Sequence, residues 1–459
     1  KIKNKGDLSA PFHMTYEDRE GKVKELTVDG FEDKQTITVK TDKNTRIHID
    51  PENKLPETSR FFNQYDGTRL FSRYGRLRAK WLYHLPLERT KFLFHTPIAG
   101  YNLTDKFMPG WLFYNDPVFS YPLTFRLAPL YSTGSNELAG EGRINYAYSS
   151  RWKNFTGWKL KAYGKCYHYE QPEEKAPLAY HKLSTELNFA FPGRQNRFTR
   201  SAHHTGLRFH YLEKEYSKWK TLFGSSPEYL GTAYTINRVY EMFYQYSAKQ
   251  INHTRHLDMN LQYANENLKL TTEWNYRLRY DQANNGLEVR AFAGVFLLHG
   301  SRDALDMRLR MSNPTGKDDY LFDHTFLDRS LAGNSNIWSR HMITGDGGFI
   351  TPLPGYQTWS HIYALNLHTD LPLDIPLGLF ANFASSDRTH LQIESLPALL
   401  FETGMSLSIW KNNFRIYLPL IPSENDFNIS LTRFTLNLDL FRDINGSTSR
   451  LENWGFGEF

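Results

Sequence analysis

The sequence has few of the features on which soluble catalytic and nucleotide-binding proteins depend. Its 459 residues include a single cysteine, Cys166, which excludes an internal disulfide and any zinc site built from several cysteines. It contains no His-Glu-x-x-His motif and no glycine-rich phosphate-binding loop. No run of about 18 uncharged apolar residues occurs, so a membrane-spanning helix is excluded. The formal net charge of +6 forms no basic stripe, which argues against a nucleic-acid partner.

Aromatic residues, by contrast, are abundant. Phe, Tyr and Trp make up 15% of the chain, although its mean hydropathy is negative. A soluble domain with so many aromatic residues would normally bury them and be more apolar overall. A transmembrane β-barrel places such residues in two belts at the membrane interfaces, while its lumen and loops stay polar. The composition therefore favours a barrel.

Residues 267–280 carry the pattern that indicates this fold most directly. Alternate positions are apolar, aromatic or Thr: Leu268, Leu270, Thr272, Trp274, Tyr276, Leu278 and Tyr280. The positions between them are polar or charged: Lys269, Thr271, Glu273, Asn275, Arg277 and Arg279. Successive side chains of a β-strand point to opposite faces, so this is a strand with one apolar and one polar face. Its length suits a tilted strand that crosses a bilayer.

The same alternation recurs along most of the chain. It predicts strands at 90–100, 105–115, 120–131, 137–149, 157–170, 179–192, 203–213, 233–247, 252–264, 267–280, 286–299, 303–312, 358–369, 374–384, 397–410, 412–420 and 431–441. Single-chain bacterial barrels have an even number of strands. We therefore predict an all-β fold, a transmembrane antiparallel β-barrel of about 16 strands with a range of 14–18, located in the bacterial outer membrane.

The domain organisation follows from changes in this pattern. Residues 1–60 contain short alternating runs separated by turn residues, which predict a soluble β-sandwich segment that forms the C-terminal part of a larger module. Residues 61–89 are predicted to be an irregular linker, 90–441 the barrel and 442–459 a polar tail. Two connections, 214–232 and 313–357, are predicted to be long loops. A segment as long as 313–357 without strand patterning is expected to fold over or into something.

Charged side chains on the polar strand faces are the first candidate functional set. The residues expected to face the lumen are Lys269, Glu273, Arg277, Arg279, Arg290, Arg308 and Arg310. A ring of arginines would select anions or acidic groups on sugars. The alternative is that these mixed charges pair with one another, as in most polar lumens.

Carboxylates of the 313–357 loop are the second candidate set. They are Asp318, Asp319, Asp323, Asp328 and Asp346, with His324 and His341 nearby. Their spacing resembles a calcium loop only loosely. The preferred interpretation is a solvated loop, or a lumen plug whose carboxylates pair with lumen arginines.

Catalysis inside the barrel is a third alternative. The candidates by residue type are Ser201, His203, His204, His210, His256 and Asp258. No spacing among them fixes a nucleophile beside a base, because such sets are recognised by geometry rather than by sequence. We therefore predict no catalytic, cofactor-binding or metal-binding residue in this chain.

Several stretches resemble a known family. Three N-terminal stretches, GDLSAPF at 6–12, VDGF at 28–31 and IDPENKLPE at 49–57, are similar to the β-domain that follows the catalytic domain in large M1-type (gluzincin) metallopeptidases. Some Gram-negative members carry a C-terminal barrel, which is similar to this chain at TPIAGYN (96–102), LAPLYSTGS (127–135), LAG (138–140), YLPL (417–420) and RFTLNL (433–438). The resemblance implies an upstream catalytic domain with zinc. None of the family's catalytic residues falls within this sequence.

The sequence leaves three functional hypotheses. The first is a barrel that anchors an M1-type metallopeptidase-like protein in the outer membrane and is not catalytic by itself. The second is a porin-like channel or substrate-specific pore, and the third is a scaffold subunit of an outer-membrane complex. The expected partners are the lipid bilayer with its lipopolysaccharide and other outer-membrane proteins.

Overall fold

A computed structural model provides the coordinates of the protein. It describes residues 2–4, 9–17, 20–40, 45–52, 54–55, 63–67, 77–82, 91–115, 122–150, 152–172, 176–196, 198–220, 228–280, 285–301, 305–313, 315–329, 337–353, 356–371, 375–386, 399–409, 414–422 and 431–436. These residues form two compact units, one containing residues 1–96 and 113–117 and the other residues 97–112 and 118–456.

The described residues are almost entirely in β-strands. The strands are β1 (Ile2–Lys3), β2 (Phe12–Glu17), β3 (Val23–Val28), β4 (Lys34–Gln35), β5 (Arg46–Ile49), β6 (Gln64–Asp66), β7 (Leu77–Trp81), β8 (Lys91–Asn102), β9 (Lys106–Tyr114), β10 (Leu123–Tyr131), β11 (Leu138–Ser149), β12 (Gly157–Glu170), β13 (Leu178–Gln195), β14 (Thr199–Lys220), β15 (Glu228–Gln250), β16 (His253–Ala264), β17 (Asn267–Arg279), β18 (Gly286–Leu298), β19 (Leu309–Arg310), β20 (Gln357–Thr358), β21 (His361–Asp370), β22 (Leu377–Ser386), β23 (Leu399–Ser408), β24 (Phe414–Ile421) and β25 (Arg433–Leu436). Two 3-10 helices, Gly316–Asp318 and Ile337–Arg340, complete the set. Within the described ranges, no helix is long and apolar enough to cross a membrane.

The first unit contains a small β-module. Its sheet has the strand order β3-β2-β5-β6, and β1 pairs with β4 beside it. Phe12, Met14 and Val28 form the buried centre of this module because alternate residues of β2 and the end of β3 point to the same side. The interval 61–89, predicted as an irregular linker, contains β6 and β7, and β6 pairs with β5.

Strands β7–β18 and β21–β25 belong to one 17-strand sheet of the β-barrel class. The short strand β7 pairs with β8 in parallel. The pairings described from β10 through β18 and from β21 to β25 are all antiparallel, each strand with the next along the barrel. Without the parallel β7, the sheet has sixteen strands, so the predicted fold and approximate strand number are confirmed.

The apolar face of the sheet points outward. One row of directly paired residues runs across six neighbouring strands: Leu160, Leu187, Leu207, Met242, Leu261 and Leu270. Leu207 and Met242 are 58% and 53% exposed, as expected for side chains that contact lipid. The opposite face carries the polar residues that the alternation predicted.

Two of the sequence predictions about strands were wrong. The segment 303–312 is not a barrel strand, since in its described part, 305–312, the strand is limited to Leu309–Arg310, which pairs with β20. Its alternating Met307 and Leu309 are fully buried against other protein rather than exposed to lipid. The segment 214–232 is not a long loop, because β14 continues to Lys220 and β15 starts at Glu228. The predicted tail 442–459 lies outside the described residues.

An outward-facing charge provides a test of the lipid-facing surface. We expect Leu207→Arg to reduce the free energy of unfolding of the protein in lipid vesicles by about 2–4 kcal/mol, because the cation would sit in hydrocarbon. Leu230→Arg is the matched control, since Leu230 is 56% exposed but lies on β15 beyond its pairing with β16. Equilibrium unfolding in urea measures both changes, and equal effects at the two positions would contradict the assignment.

Candidate functional site: a segment against the inner face of the barrel

The connection between β18 and β21 is far longer than any other described connection in the barrel. We call residues 299–360 the inner segment. Its described parts contact side chains on the polar face of the sheet, opposite Leu268 and Leu270. Its apolar residues Met307, Leu309 and Phe349 are fully buried in one cluster with Phe292 and Phe296 of β18. The segment therefore lies on the lumen side of the sheet, against the inner face of the barrel wall.

Tyr320 is the centre of the first polar anchor. The Lys269 ammonium of β17 donates to the Tyr320 hydroxyl at 2.8 Å and to the backbone carbonyl of Met307 at 3.3 Å. The Tyr320 hydroxyl in turn donates to the amide oxygen of Gln262 on β16. Burial raises the pKa of Tyr320 well above its ordinary value, so the hydroxyl stays protonated and able to donate. One side chain thus connects the segment to two neighbouring strands.

A line of charged groups on the wall continues from this anchor. The Gln262 amide donates to Glu241 at 2.6 Å, and Arg208 of β14 bridges Glu241 and Glu186. Lys161 of β12 then binds Glu186 at 2.8 Å. These residues stand directly opposite one another across five neighbouring strands. Their charges therefore pair with each other instead of forming a ring of one sign.

A second anchor surrounds Glu402 of β23. This fully buried carboxylate accepts backbone N–H bonds from Ile350 at 2.5 Å and Thr351 at 3.0 Å. Asn382 of β22 donates to the same carboxylate at 2.7 Å. Asn366 of β21 donates to the backbone carbonyl of Gly347 at 2.9 Å. Strands β21 and β23 thereby hold one stretch of the inner segment by its backbone, and Asn382 of β22 supports Glu402 between them.

The third anchor is His341. Its Nδ1 accepts from the Leu327 amide at 3.2 Å, and its Nε2 lies 2.9 Å from the Leu436 carbonyl of β25. Burial lowers the pKa of His341 to about 4, so the ring is neutral near pH 7 and carries its proton on Nε2. The neighbouring Met342 amide donates to the Phe434 carbonyl at 2.9 Å. The inner segment therefore also binds the last described strand.

A buried turn supports the far side of the segment. Asp105, between β8 and β9, is 0% exposed. Its carboxylate accepts hydrogen bonds from the backbone N–H of His168 on β12 and from the His168 ring, with the ring nitrogen at 2.6 Å. Burial acts to raise the pKa of Asp105, but hydrogen bonds from His168 and Asn102 lower it below its usual range. In this turn the Leu103 amide donates to the Leu327 carbonyl at 2.8 Å.

The predicted lumen charges divide into three groups. Lys269 binds the inner segment, whereas Glu273 pairs with Arg290 at 2.6 Å and Arg277 pairs with Glu288 at 2.9 Å. Arg279 donates to the backbone carbonyl of Ile251 at 2.6 Å. The placement of Arg308 and Arg310 on a barrel strand was wrong. Both belong to the inner segment, where they bind Asp306.

The predicted loop carboxylates all belong to the inner segment. Asp318 contacts Arg310 at 3.2 Å, Asp319 contacts Arg329 at 2.9 Å, and Asp346 accepts from the Arg310 amide at 2.8 Å. Asp328 is 4% exposed. The remaining carboxylate, Asp323, reaches the wall.

Asp323 binds two lysines of the wall. Its carboxylate pairs with the buried Lys182 of β13, and its backbone carbonyl accepts from Lys165 of β12 at 2.8 Å. Burial acts to raise the pKa of Asp323, but Lys182 and His210 lower it below its usual range. Among the described residues, no group of three or more His, Cys, Asp or Glu side chains has an arrangement that could hold a metal ion.

The catalytic candidates do not assemble. His256 pairs with Asp258 at 2.7 Å, but Ser201 binds the backbone of Arg194 instead of a histidine. His210 lies 2.8 Å from Ser184, and its Nε2 has no hydrogen-bond partner in the structure. In the described chain, therefore, these residues form no serine–histidine–carboxylate set.

Comparison with known proteins adds a fold-level likeness only. No family model and no curated protein matches the chain. Among solved structures, it is similar to BamA from Haemophilus ducreyi lacking POTRA domains 1–3 (8% identity, 76% of this chain, 72% of that chain, TM-score 0.42). It is also similar to CdiB from Acinetobacter baumannii (10% identity, 72% and 56%, TM-score 0.36) and CdiB from Escherichia coli (9%, 74% and 63%, TM-score 0.38). The chain spans less than two thirds of either CdiB structure, and likenesses this weak carry no functional conclusion.

Glu402 offers a direct test of how the segment is held. Glu402→Gln replaces a carboxylate that accepts two backbone N–H groups by an amide with one acceptor oxygen. We expect hydrogen exchange at the Ile350 and Thr351 amides to accelerate by roughly 10- to 100-fold, since each charge-assisted bond contributes about 1.5–3 kcal/mol. Glu288→Gln is the control, because Glu288 binds wall arginines and not these amides. Equal exchange in both variants would contradict this anchor.

His341 predicts that acid loosens the inner segment. Because the folded pKa of about 4 lies below the ordinary value of 6.5, the unfolded form binds the extra proton first. The contribution of neutral His341 to the stability of the folded state is therefore complete above about pH 6.5 and is lost as the pH falls towards 4. The total loss is on the order of 3 kcal/mol. Hydrogen exchange at the Leu327 amide measures the loss. His341→Gln keeps a donor and an acceptor without titrating, and an unchanged pH profile in this variant would refute the role of His341.

Proposed function

We propose that the protein is an integral outer-membrane β-barrel that forms a gated channel, with the inner segment as its plug. Barrels with an apolar outer face belong to the outer membrane, and a barrel of sixteen strands encloses an aqueous lumen unless something fills it. The observation that supports a plug is the set of hydrogen bonds from the inner segment to strands distributed around the wall. These reach from β12 and β13 through β16 and β17 to β21, β23 and β25.

The nature of these contacts also supports a movable plug. Most of them are polar bonds between the segment and side chains of the wall, such as Glu402 with the Ile350 amide and Lys182 with Asp323. Water can replace such partners if the segment moves. The apolar cluster of Met307, Leu309 and Phe349 with the wall opposes this movement and holds the plug closed at rest. The alternating charges along the wall suit a polar passage without a simple preference for anions or cations.

A scaffold subunit is the second candidate. In that role the plug would remain seated and the protein would act through partners, which are expected to be other outer-membrane proteins and lipopolysaccharide. The feature that favours it is the density of anchors, since the three anchors engage both ends of the described part of the inner segment. Channel recordings separate the two candidates.

Anchoring of an M1-type metallopeptidase-like protein remains a hypothesis that rests on the sequence resemblance. The described parts of two of these stretches, residues 9–12 and 28–31, belong to the β-module, a small sheet of the kind that the resemblance implies. The encoded sequence upstream of Lys1 tests it. A His-Glu-x-x-His helix there would support a zinc peptidase, and a signal peptide directly before Lys1 would refute one.

Planar-bilayer recording tests the channel. We expect the full chain to show rare openings, and a variant with residues 305–353 replaced by a short Gly-Ser linker to conduct continuously, because the lumen then contains water. The double variant Lys269→Met, Tyr320→Phe should open at least about tenfold more often than the full chain, since it loses one polar anchor.

The control for these recordings is Arg277→Met, which removes a wall pair without touching the plug. Heat-modifiable migration on gels establishes that each variant is folded. A shortened variant that is folded but carries no current would overturn the channel and favour the scaffold.

A further inference from the structure

The β14–β15 hairpin is much longer than the membrane requires. Its strands contain 22 and 23 residues, whereas about 9–11 suffice to cross a bilayer. The next strand, β16, pairs with β15 only from Tyr240 to Lys249. Beyond Tyr240, β15 continues for a further twelve residues, about 40 Å, with β14 as its partner in the described chain.

The register determines which backbone groups are left open. The backbone N–H of Arg279 donates to the carbonyl of Asn252, which precedes β16. Backbone groups of even-numbered residues in β16 therefore bond β17, and those of odd-numbered residues bond β15. Tyr263 stands opposite Tyr240, and even-numbered residues of β15 therefore direct their N–H and C=O groups towards the β16 side. At Thr232, Tyr234 and Ile236, that side holds no strand among the described residues. We call residues 232–238 of β15 the open edge.

The open edge lies in water. Unpaired strand edges do not occur in hydrocarbon, because each unsatisfied backbone group there costs several kcal/mol. Natural proteins usually protect an exposed edge with charge, proline or a bulge within it. Between Thr232 and Asn237 the sequence TAYTIN has neither charge nor proline, and the charge of the open edge, Arg238, stands at its end nearest to Tyr240, where β16 begins to pair. The register shift between β14 and β15 lies outside this stretch, at Lys218 and Trp219.

The side chains beside this edge are apolar and exposed. Tyr234 is 64% exposed and Ile236 is 50% exposed, and both point to the outer face. The same even-numbered residues thus present open backbone groups and outward apolar side chains. A strand added here in antiparallel orientation would place its own outward residues directly opposite Tyr234 and Ile236.

A second copy of this chain is a poor occupant. Every copy is inserted in the membrane with the same end outward, so two copies cannot place β15 antiparallel to β15. Two copies related by an axis along the membrane normal would face each other with β15 strands that are each tilted by about 40°. These two strands would cross at roughly 80° and could not pair. The occupant must be a segment that is free to choose its direction.

We propose that the open edge binds an extended segment of a partner polypeptide by β-strand addition. The segment enters from the aqueous phase at the end of the barrel where β14 and β15 project. It has apolar residues at alternate positions to cover Tyr234 and Ile236, and polar residues between them. Backbone hydrogen bonds supply the affinity and the alternate side chains the preference.

A synthetic nine-residue peptide of alternating valine and threonine, with lysines at its ends, is the probe. In the proposed pairing the outward valines also supply the N–H groups that face the edge. Binding to the full barrel in nanodiscs, measured by fluorescence anisotropy, should therefore be lost when the valine amides are N-methylated. It should persist when the same number of threonine amides is N-methylated instead.

Two variants at one position test the edge itself. Tyr234→Pro removes an N–H that faces the open side and is compatible with an edge strand. We expect it to weaken peptide binding by about tenfold or more, since one or two backbone bonds are lost. Tyr234→Val keeps the N–H and should bind within about threefold of the natural chain.

Three results would overturn the proposal. They are no saturable binding of the unmethylated peptide to the natural chain, equal loss of binding with either methylation pattern, and equal affinity in Tyr234→Pro and Tyr234→Val. An equal loss of peptide affinity in both variants would indicate that the peptide binds the Tyr234 ring, which is a side-chain site and not strand addition. Heat-modifiable migration on gels shows in each case that the barrel is folded.

Discussion

The satisfaction of polar groups on the inner wall is the constraint on which the rest of the structure depends. Pairing between neighbouring strands uses the backbone, and lipid determines the outward side chains. Many inward side chains are polar and confined, and each of these needs a partner within the protein or in water. Glu186 illustrates the solution, since it lies between Lys161 and Arg208 at 2.8 Å from each. Charges on adjacent strands neutralise one another in rows that follow the register.

The inner segment completes those rows where the wall has no matching group. Lys269 has no carboxylate directly opposite it, because its register partners are Gln262 and Phe296. Tyr320 and the Met307 carbonyl accept from its ammonium instead. Glu402 likewise stands opposite Asn382 and takes its remaining hydrogen bonds from the backbone of the segment. The wall and the segment therefore depend on each other for polar partners.

The sequence predicts the wall far better than it predicts the site. Alternation along one strand assigned Lys269 and Glu273 to the inner face without knowledge of any other strand. It failed at Met307 and Leu309, because a chain buried on both sides shows the same period as a strand with one face in lipid. It also failed at 214–232, because β14 and β15 continue well beyond the length that a bilayer requires.

The residues that hold the inner segment were beyond sequence reasoning for a different reason. Tyr320 and Gln262 are separated by 58 positions, and Ile350 and Glu402 by 52. Their meeting depends on the register of several intervening strands. A buried glutamate such as Glu402 has the same residue type as any lumen carboxylate, and only its two backbone donors distinguish it. The carboxylates predicted for a plug could be named by type, but the sequence paired them with lumen arginines, whereas the partner of Asp323 on the wall is Lys182.

The division between two kinds of wall contact bears on whether a plug of this kind can move. Glu273 with Arg290, and Glu288 with Arg277 and Arg415, are pairs within the wall that do not involve the segment. Lys182 and Glu402 bind the segment and would lose protein partners if it left. Water entering the vacated lumen would solvate those two charges, so their bonds are exchanged rather than lost. Displacement therefore leaves the pairs within the wall intact, and its main cost is the exposure of the apolar cluster that joins Met307, Leu309 and Phe349 to Phe292 and Phe296 of β18.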